Sequence, residues 1–162
     1  MKLSNRVLEM EESVTLAASA RAAALKAEGR DILSLTLGEP DFTTPENIQK
    51  AAIAAIQDGK ASFYTAASGL PALKDAISSY METFYGYAVP RNQVVVATGA
   101  KFILYAAFAT LLNPGDEVII PTPCWVSYVD QVKMVDAVPV TFQTTEANDF
   151  KATVEQLEAA RT

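Results

Sequence analysis

Apolar residues recur at helical spacing through the first half of the chain. SVTLAASARAAALKAEG, residues 13–29, is built from strong helix formers and stops on Gly29, a suitable residue beyond a helix end. The short apolar run ILSL at 32–35 predicts a strand. A loop around Gly38 and Pro40 leads to a second helix, with Thr44 as its cap, Pro45 in its first turn and Gly59 at its end. Ile48, Ala52, Ala55 and Ile56 form its expected buried stripe. KASFYTAASG, residues 60–69, is a polar connector with two adjacent aromatics, Phe63 and Tyr64. A third helix begins near Ser68, presents Leu70, Leu73, Ile77, Met81 and Phe84 on one side, and ends by Gly86.

From Gln93 the pattern becomes strand, helix, strand, helix, strand: QVVVAT, AKFILYAAFATLLN, DEVIIP, PCWVSYVDQVKMVD and AVPVTFQ. Apolar strands separated by helices of this length predict an α/β fold with a parallel sheet covered on both faces. A tight turn, Asn113-Pro114-Gly115-Asp116, interrupts it, and a polar loop at 144–150 precedes a last helix beginning VEQLEAART. Three parallel strands leave exposed edges, so the chain is expected to be part of something larger.

Composition narrows the functional classes. Half of the 162 residues are hydrophobic, which suits a soluble globular domain. The net charge is -6 and no basic cluster occurs, which gives nucleic acid or an anionic membrane no landing site. The longest apolar run, Phe102 to Leu112, is too short to span a bilayer, and the first residues lack a signal-peptide core, so a cytoplasmic protein is expected. Cys124 is the only cysteine and histidine is absent, which removes disulfides, Cys-cluster metal sites and His-based catalysis within this chain. Lysine, tyrosine, carboxylates, backbone amides or a borrowed cofactor remain.

The turn Thr98-Gly99-Ala100-Lys101 stands where a strand hands over to a helix, the place where parallel α/β sheets bind anions on free backbone N–H groups. Lys101 is the only charge on an otherwise apolar helix, which is therefore expected to be buried. A cation in a first turn opposes the helix dipole unless an anion lies nearby. Two readings stay open at this point: a phosphate site, or a lysine reaching solvent beside a glycine that eases a turn. The turn fits neither of the common glycine-rich nucleotide motifs.

TLGEPDFTTP at 36–45, SFYTAASG at 62–69, VATGAKFIL at 96–104 and NPGDEVIIPTPCWVSY at 113–128 occur in order. Together they closely resemble the N-terminal part of class I aminotransferases, pyridoxal-phosphate enzymes of fold type I, most nearly the bacterial aspartate and aromatic amino-acid branch. The resemblance implies an N-terminal helical arm followed by the first part of a three-layer α/β/α major domain, mainly parallel and incomplete. It assigns residues 1–45 to the arm and a small-domain segment, and 46–162 to the truncated cofactor-binding domain.

The resemblance further implies that backbone amides of Gly99, Ala100 and Lys101 hold the cofactor phosphate, and that Trp125 stacks on its ring beside the substrate. Gly38 would present its N–H to the substrate carboxylate, close approach being eased by the missing side chain. Tyr64 would reach the phosphate of a neighbouring subunit, which requires a homodimer. Cys124 stands where relatives often carry tyrosine, and its plainest reading is a buried inert thiol. Glu11 and Glu12 stand where some relatives carry a basic residue, which argues against a broadened acidic-substrate range.

The Schiff-base lysine of such enzymes falls beyond residue 162, as do the aspartate facing the pyridine nitrogen and the arginine that clamps the substrate carboxylate. The expectation is therefore a fragment of an aminotransferase acting on an L-amino acid and a 2-oxo acid, inactive by itself and with no catalytic residue or metal site of its own. Two alternatives remain: a non-catalytic module that keeps dimer or phosphate contacts, and a mononucleotide-binding α/β domain.

Overall fold

The computed structural model describes residues 2–8, 10 and 13–161. Glu11 and Glu12 lie outside the described residues. By their contacts the residues fall into two units, 1–36 with 99–162, and 37–98.

In the first unit a short helix α1, Asn5–Leu8, precedes α2, Val14–Ala27. Ser13 caps α2, its hydroxyl accepting from the Leu16 N–H at 3.4 Å, and Gly29 follows with φ 81°. The run 32–35 forms no strand: Leu33 and Leu35 are both 88% exposed, and without a neighbouring strand an apolar run has no ladder to join. Helix α5, Ala100–Leu111, leads through the Asn113–Asp116 turn to strand β1, Glu117–Thr122. Helix α6, Ser127–Lys133, then connects to β2, Val138–Gln143, and α7, Val154–Ala160, follows a polar loop.

The two strands are parallel, with Glu117 opposite Val138 and Thr122 opposite Gln143. Side chains and loops secure both ends of the ladder. At one end the Gly115 N–H donates to the Asp136 carbonyl at 2.8 Å, and the Asp116 carboxylate accepts the Asn113 N–H at 2.6 Å. At the other, the Thr144 hydroxyl and N–H both donate to the Thr122 carbonyl, at 2.8 and 2.7 Å. Ile120, Val132 and Ala137 form the core between strand and helix, with Phe108, Leu112 and Tyr128 packed against it. Helix α5 itself is only half covered, contrary to its all-round apolar sequence. Phe102 and Leu111 remain 58% and 74% exposed.

The second unit holds α3, Glu46–Gln57, and α4, Pro71–Tyr85. Pro45 rather than Thr44 is the N-cap of α3, and Thr44 contributes its carbonyl to the Gln49 side-chain amide instead. Its expected stripe is uncovered, Ile48 and Ile56 being 52% and 67% exposed. Helix α4 starts on Pro71, three residues past Ser68, and closes on Gly86 in the left-handed region. In the run QVVVAT, Gln93 closes a 3-10 turn, Arg91–Gln93, Val94 is extended, and no residue of the run belongs to a sheet. Its recorded backbone tie to another segment is the Val96 N–H donating to the Ser68 carbonyl at 3.0 Å. Among the described residues no helix is long and apolar enough to cross a membrane.

Candidate functional site

The first unit brings four of the residues singled out above into one neighbourhood. Gly99 precedes α5 with φ 81° and ψ 159°, a combination that is essentially restricted to glycine. No side chain caps the helix, so its first N–H groups, with no intrahelical acceptor, remain available to a ligand. Ala100 and Lys101 form the first turn. Trp125 stands three residues beyond the end of β1. Lys101 Nζ lies 4.9 Å from the centroid of the Trp125 ring, within range of a cation–π attraction.

Trp125 is 40% exposed and meets Tyr128 edge-on, with ring centroids 5.4 Å apart. It is therefore no core tryptophan: Val132 fills the core position of the same segment, at 0% exposure. Cys124, half-buried, packs against that core.

A turn with free donors, an ammonium and an accessible indole face suits a ligand that is anionic at one end and flat and cationic at the other. This follows from donor chemistry, since helix N–H groups favour negative charge and an aromatic face favours positive charge.

Gly38 and Tyr64 belong to the other unit. A Cβ placed on Gly38 would meet nothing within 4 Å, so packing inside the unit does not itself demand glycine there. Tyr64 follows a 3-10 turn at Lys60–Ser62 and is completely exposed. It is not packed under the connector, and its hydroxyl is free to reach a partner outside the unit.

The sequence reading passed over Gln131. It is 4% exposed on α6, and its side-chain amide donates to the carbonyl of Lys101 at 2.6 Å. Its signal was present: Tyr128, Gln131, Val132 and Val135 occupy one face at helical spacing, so Gln131 is a polar residue in a core-facing position. Among the described residues no three potential metal-ligating side chains gather.

The family described as aminotransferase class I and II matches residues 30–162. The chain is 73% identical over 161 residues to the asparagine–oxo-acid transaminase of Streptococcus mutans serotype c, an alignment spanning 99% of this chain and 41% of that protein. It is 48% identical over 162 residues to the aspartate aminotransferase of Geobacillus stearothermophilus, spanning 100% of this chain and 41% of the relative. The crystal structure of the aspartate aminotransferase from Rhizobium meliloti superimposes with a TM-score of 0.94 at 44% identity, over 100% of this chain and 40% of that one. That of Thermus thermophilus with maleate gives 0.95 at 37% identity, over 100% and 42%. The chain thus spans about two fifths of the length of the curated relatives it matches.

Proposed function

The chain belongs to the aminotransferase class I and II family, and from that premise we propose that it forms part of a pyridoxal-phosphate enzyme moving an amino group between an L-amino acid and a 2-oxo acid. Its backbone is that of the fold type I aspartate aminotransferases over the portion it spans. The names of its relatives support aspartate or asparagine as the donor over an aromatic amino acid. We take the protein to be cytoplasmic and to act as a homodimer, with residues 1–45 as arm and small-domain segment and 46–162 within the cofactor-binding domain.

The single observation that carries the site is the meeting of the uncapped α5 turn with Trp125, joined by the Lys101 ammonium at 4.9 Å from the ring. The residues present fit the cofactor. Backbone N–H groups of Gly99, Ala100 and Lys101 bind the phosphate, and the Lys101 ammonium adds positive charge beside it. Trp125, with 40% of its surface exposed, would offer an indole face to the pyridine ring. When bound, the cofactor supplies an electron sink for the amino acid's α-carbon. Gly38 offers its N–H to the substrate carboxylate, and the exposed Tyr64 hydroxyl reaches the phosphate bound by the partner subunit.

Trp125 is the only tryptophan, so its fluorescence reads the site directly. Titration with pyridoxal phosphate is expected to quench it, and Gly99→Val to abolish the quench; an unaltered emission at saturating ligand sinks the assignment. The 162 residues alone are expected to bind without borohydride fixing the ligand, and to show no donor-dependent turnover. Turnover by a chain of verified mass would refute that part. Exposed Leu33, Leu35, Ile56 and Phe63 favour one addition, that the isolated chain associates to cover them.

A further inference from the structure

Gln131 has a feature that core packing does not explain. Its Nε2 donates to the Lys101 carbonyl at 2.6 Å, whereas its Oε1 is buried without a hydrogen-bond partner among the described residues. The orientation of the amide is fixed by chemistry, because only the nitrogen can face a carbonyl oxygen. A buried, unpaired acceptor lowers stability. The Lys101 carbonyl, inside helix α5, also accepts the Tyr105 N–H four residues on, so it has no need of Gln131 for satisfaction. An apolar residue of the same size would suit this face of α6 better on packing grounds alone.

Lys101 is where the two halves of the site meet. Its N–H belongs to the turn that opens α5, and its ammonium lies over Trp125. Its carbonyl is gripped by a residue of α6, the helix that begins two residues after Trp125. Because the peptide unit is planar, holding that carbonyl also fixes the direction of the Phe102 N–H, the next free donor of the turn.

We propose that Gln131 is a positioning residue for the phosphate-binding turn: its side-chain amide ties the first turn of α5 to the segment carrying Trp125, so that the anion donors and the stacking face stay at a set separation. The inference rests on the site proposed above. It assigns Gln131 no contact with substrate or cofactor.

The test compares pyridoxal phosphate with pyridoxal, which lacks the phosphate, on the 162-residue chain and on its Gln131→Met and Gln131→Leu variants. Trp125 fluorescence reads both ligands. Each substitution is expected to weaken pyridoxal phosphate by roughly fivefold, the worth of one net hydrogen bond, and to leave pyridoxal unchanged. The melting temperature of Gln131→Met is expected to be equal to or above that of the unaltered chain, an outcome a purely structural glutamine does not give. Hydrogen exchange at the Ile103, Leu104 and Tyr105 amides, without ligand, is expected to quicken in both variants. A phosphate preference retained in both, with exchange unaltered, overturns the inference and leaves the site standing. If the unaltered chain binds the two ligands equally, the phosphate turn itself is wrong and the inference goes with it. Should Gln131→Met fail to fold, Gln131→Leu, which removes the donor without adding a charge, decides on the same readouts.

Discussion

The two units have similar sequence patterns and very different interiors. Unit 1, residues 1–36 with 99–162, closes a core on Ile120, Val132 and Ala137 because two paired strands give the helices a surface to pack on. Unit 2, residues 37–98, carries two amphipathic helices of comparable length, and its buried residues are Val94 and a lysine, Lys74. Lys74 Nζ donates to the Ser68 hydroxyl at 2.9 Å. Unit 2 is thus held by a polar tie and a few close contacts, where unit 1 is held by burial. A helical stripe of apolar residues specifies which face can be buried, and only an opposing surface turns that into stability.

This contrast can be broken most forcefully at Val132. Val132→Asp places an unpaired charge at a site with 0% exposure, and the cooperative unfolding of unit 1, followed by Trp125 fluorescence in urea, is expected to vanish. The milder Val132→Ala is expected to cost about 2 kcal/mol in the same measurement.

In unit 2 the sharpest expected effect is at Gly69. It has φ +102°, and a Cβ there would lie 2.8 Å from the Val96 Cβ. Gly69→Ala is expected to destabilise this unit by about 1–3 kcal/mol, seen as faster exchange of the Val96 amide. Gly86→Ala, with φ +64° and open space around it, is expected to cost about 1 kcal/mol.

The cap of α7 offers a smaller effect. Thr153 and Gln156 bond reciprocally, the Gln156 N–H donating to the Thr153 hydroxyl at 3.2 Å and the Thr153 N–H to Gln156 Oε1 at 3.0 Å. Thr153→Ala is expected to lower helix stability by about 1 kcal/mol, measurable by exchange along residues 154–160. Glu155 in the same turn is held below its ordinary value by its own backbone N–H and then by the Thr153 hydroxyl. A lowered carboxyl favours folding above the ordinary value of 4.5, and that contribution fades as pH falls through the lowered one. Protection factors along α7, corrected for the intrinsic exchange rate at each pH, are therefore expected to fall on acidification, and less so in Glu155→Gln.

The smallest effect belongs to the uncovered stripe of α3. Ile56→Ser at 67% exposure is expected to change stability by no more than about 0.5 kcal/mol, while lowering any self-association seen by sedimentation. A loss of several kcal/mol would mean that unit 2 has a core after all.

Much of the fold was legible in the sequence. The helices α2, α3, α4 and α5 fall where the period puts them, although Pro45 takes the cap expected of Thr44 and α4 starts at Pro71 rather than near Ser68, and β1 and β2 lie where the apolar runs stand between turn residues. The failures share one cause: ILSL and QVVVAT have strand composition, but a strand exists only when a neighbour completes its ladder, and none does so among the described residues. Helix α5 is left partly uncovered for the same reason, since all-round apolarity states a preference for cover and does not supply it.

The candidate site was legible in part. Gly99, Lys101 and Trp125 could be picked from ordered motifs, and the donor-rich turn follows from glycine opening a helix. The closeness of the Lys101 ammonium to Trp125 could not be read, because these residues are far apart in the chain and only packing of α5 beside α6 joins them. Nor could the grip of Gln131 on the Lys101 carbonyl, in which one partner is a backbone atom common to every residue.

By itself, then, the sequence determined the helices, the parallel pair and the glycine-opened turn at the start of α5, because period and glycine's freedom at positive φ act over a few neighbouring residues. Tertiary structure alone decided which apolar faces are covered and which distant groups share the site. Burial and hydrogen bonding between separate elements depend on where a second surface lies, and no local pattern encodes that.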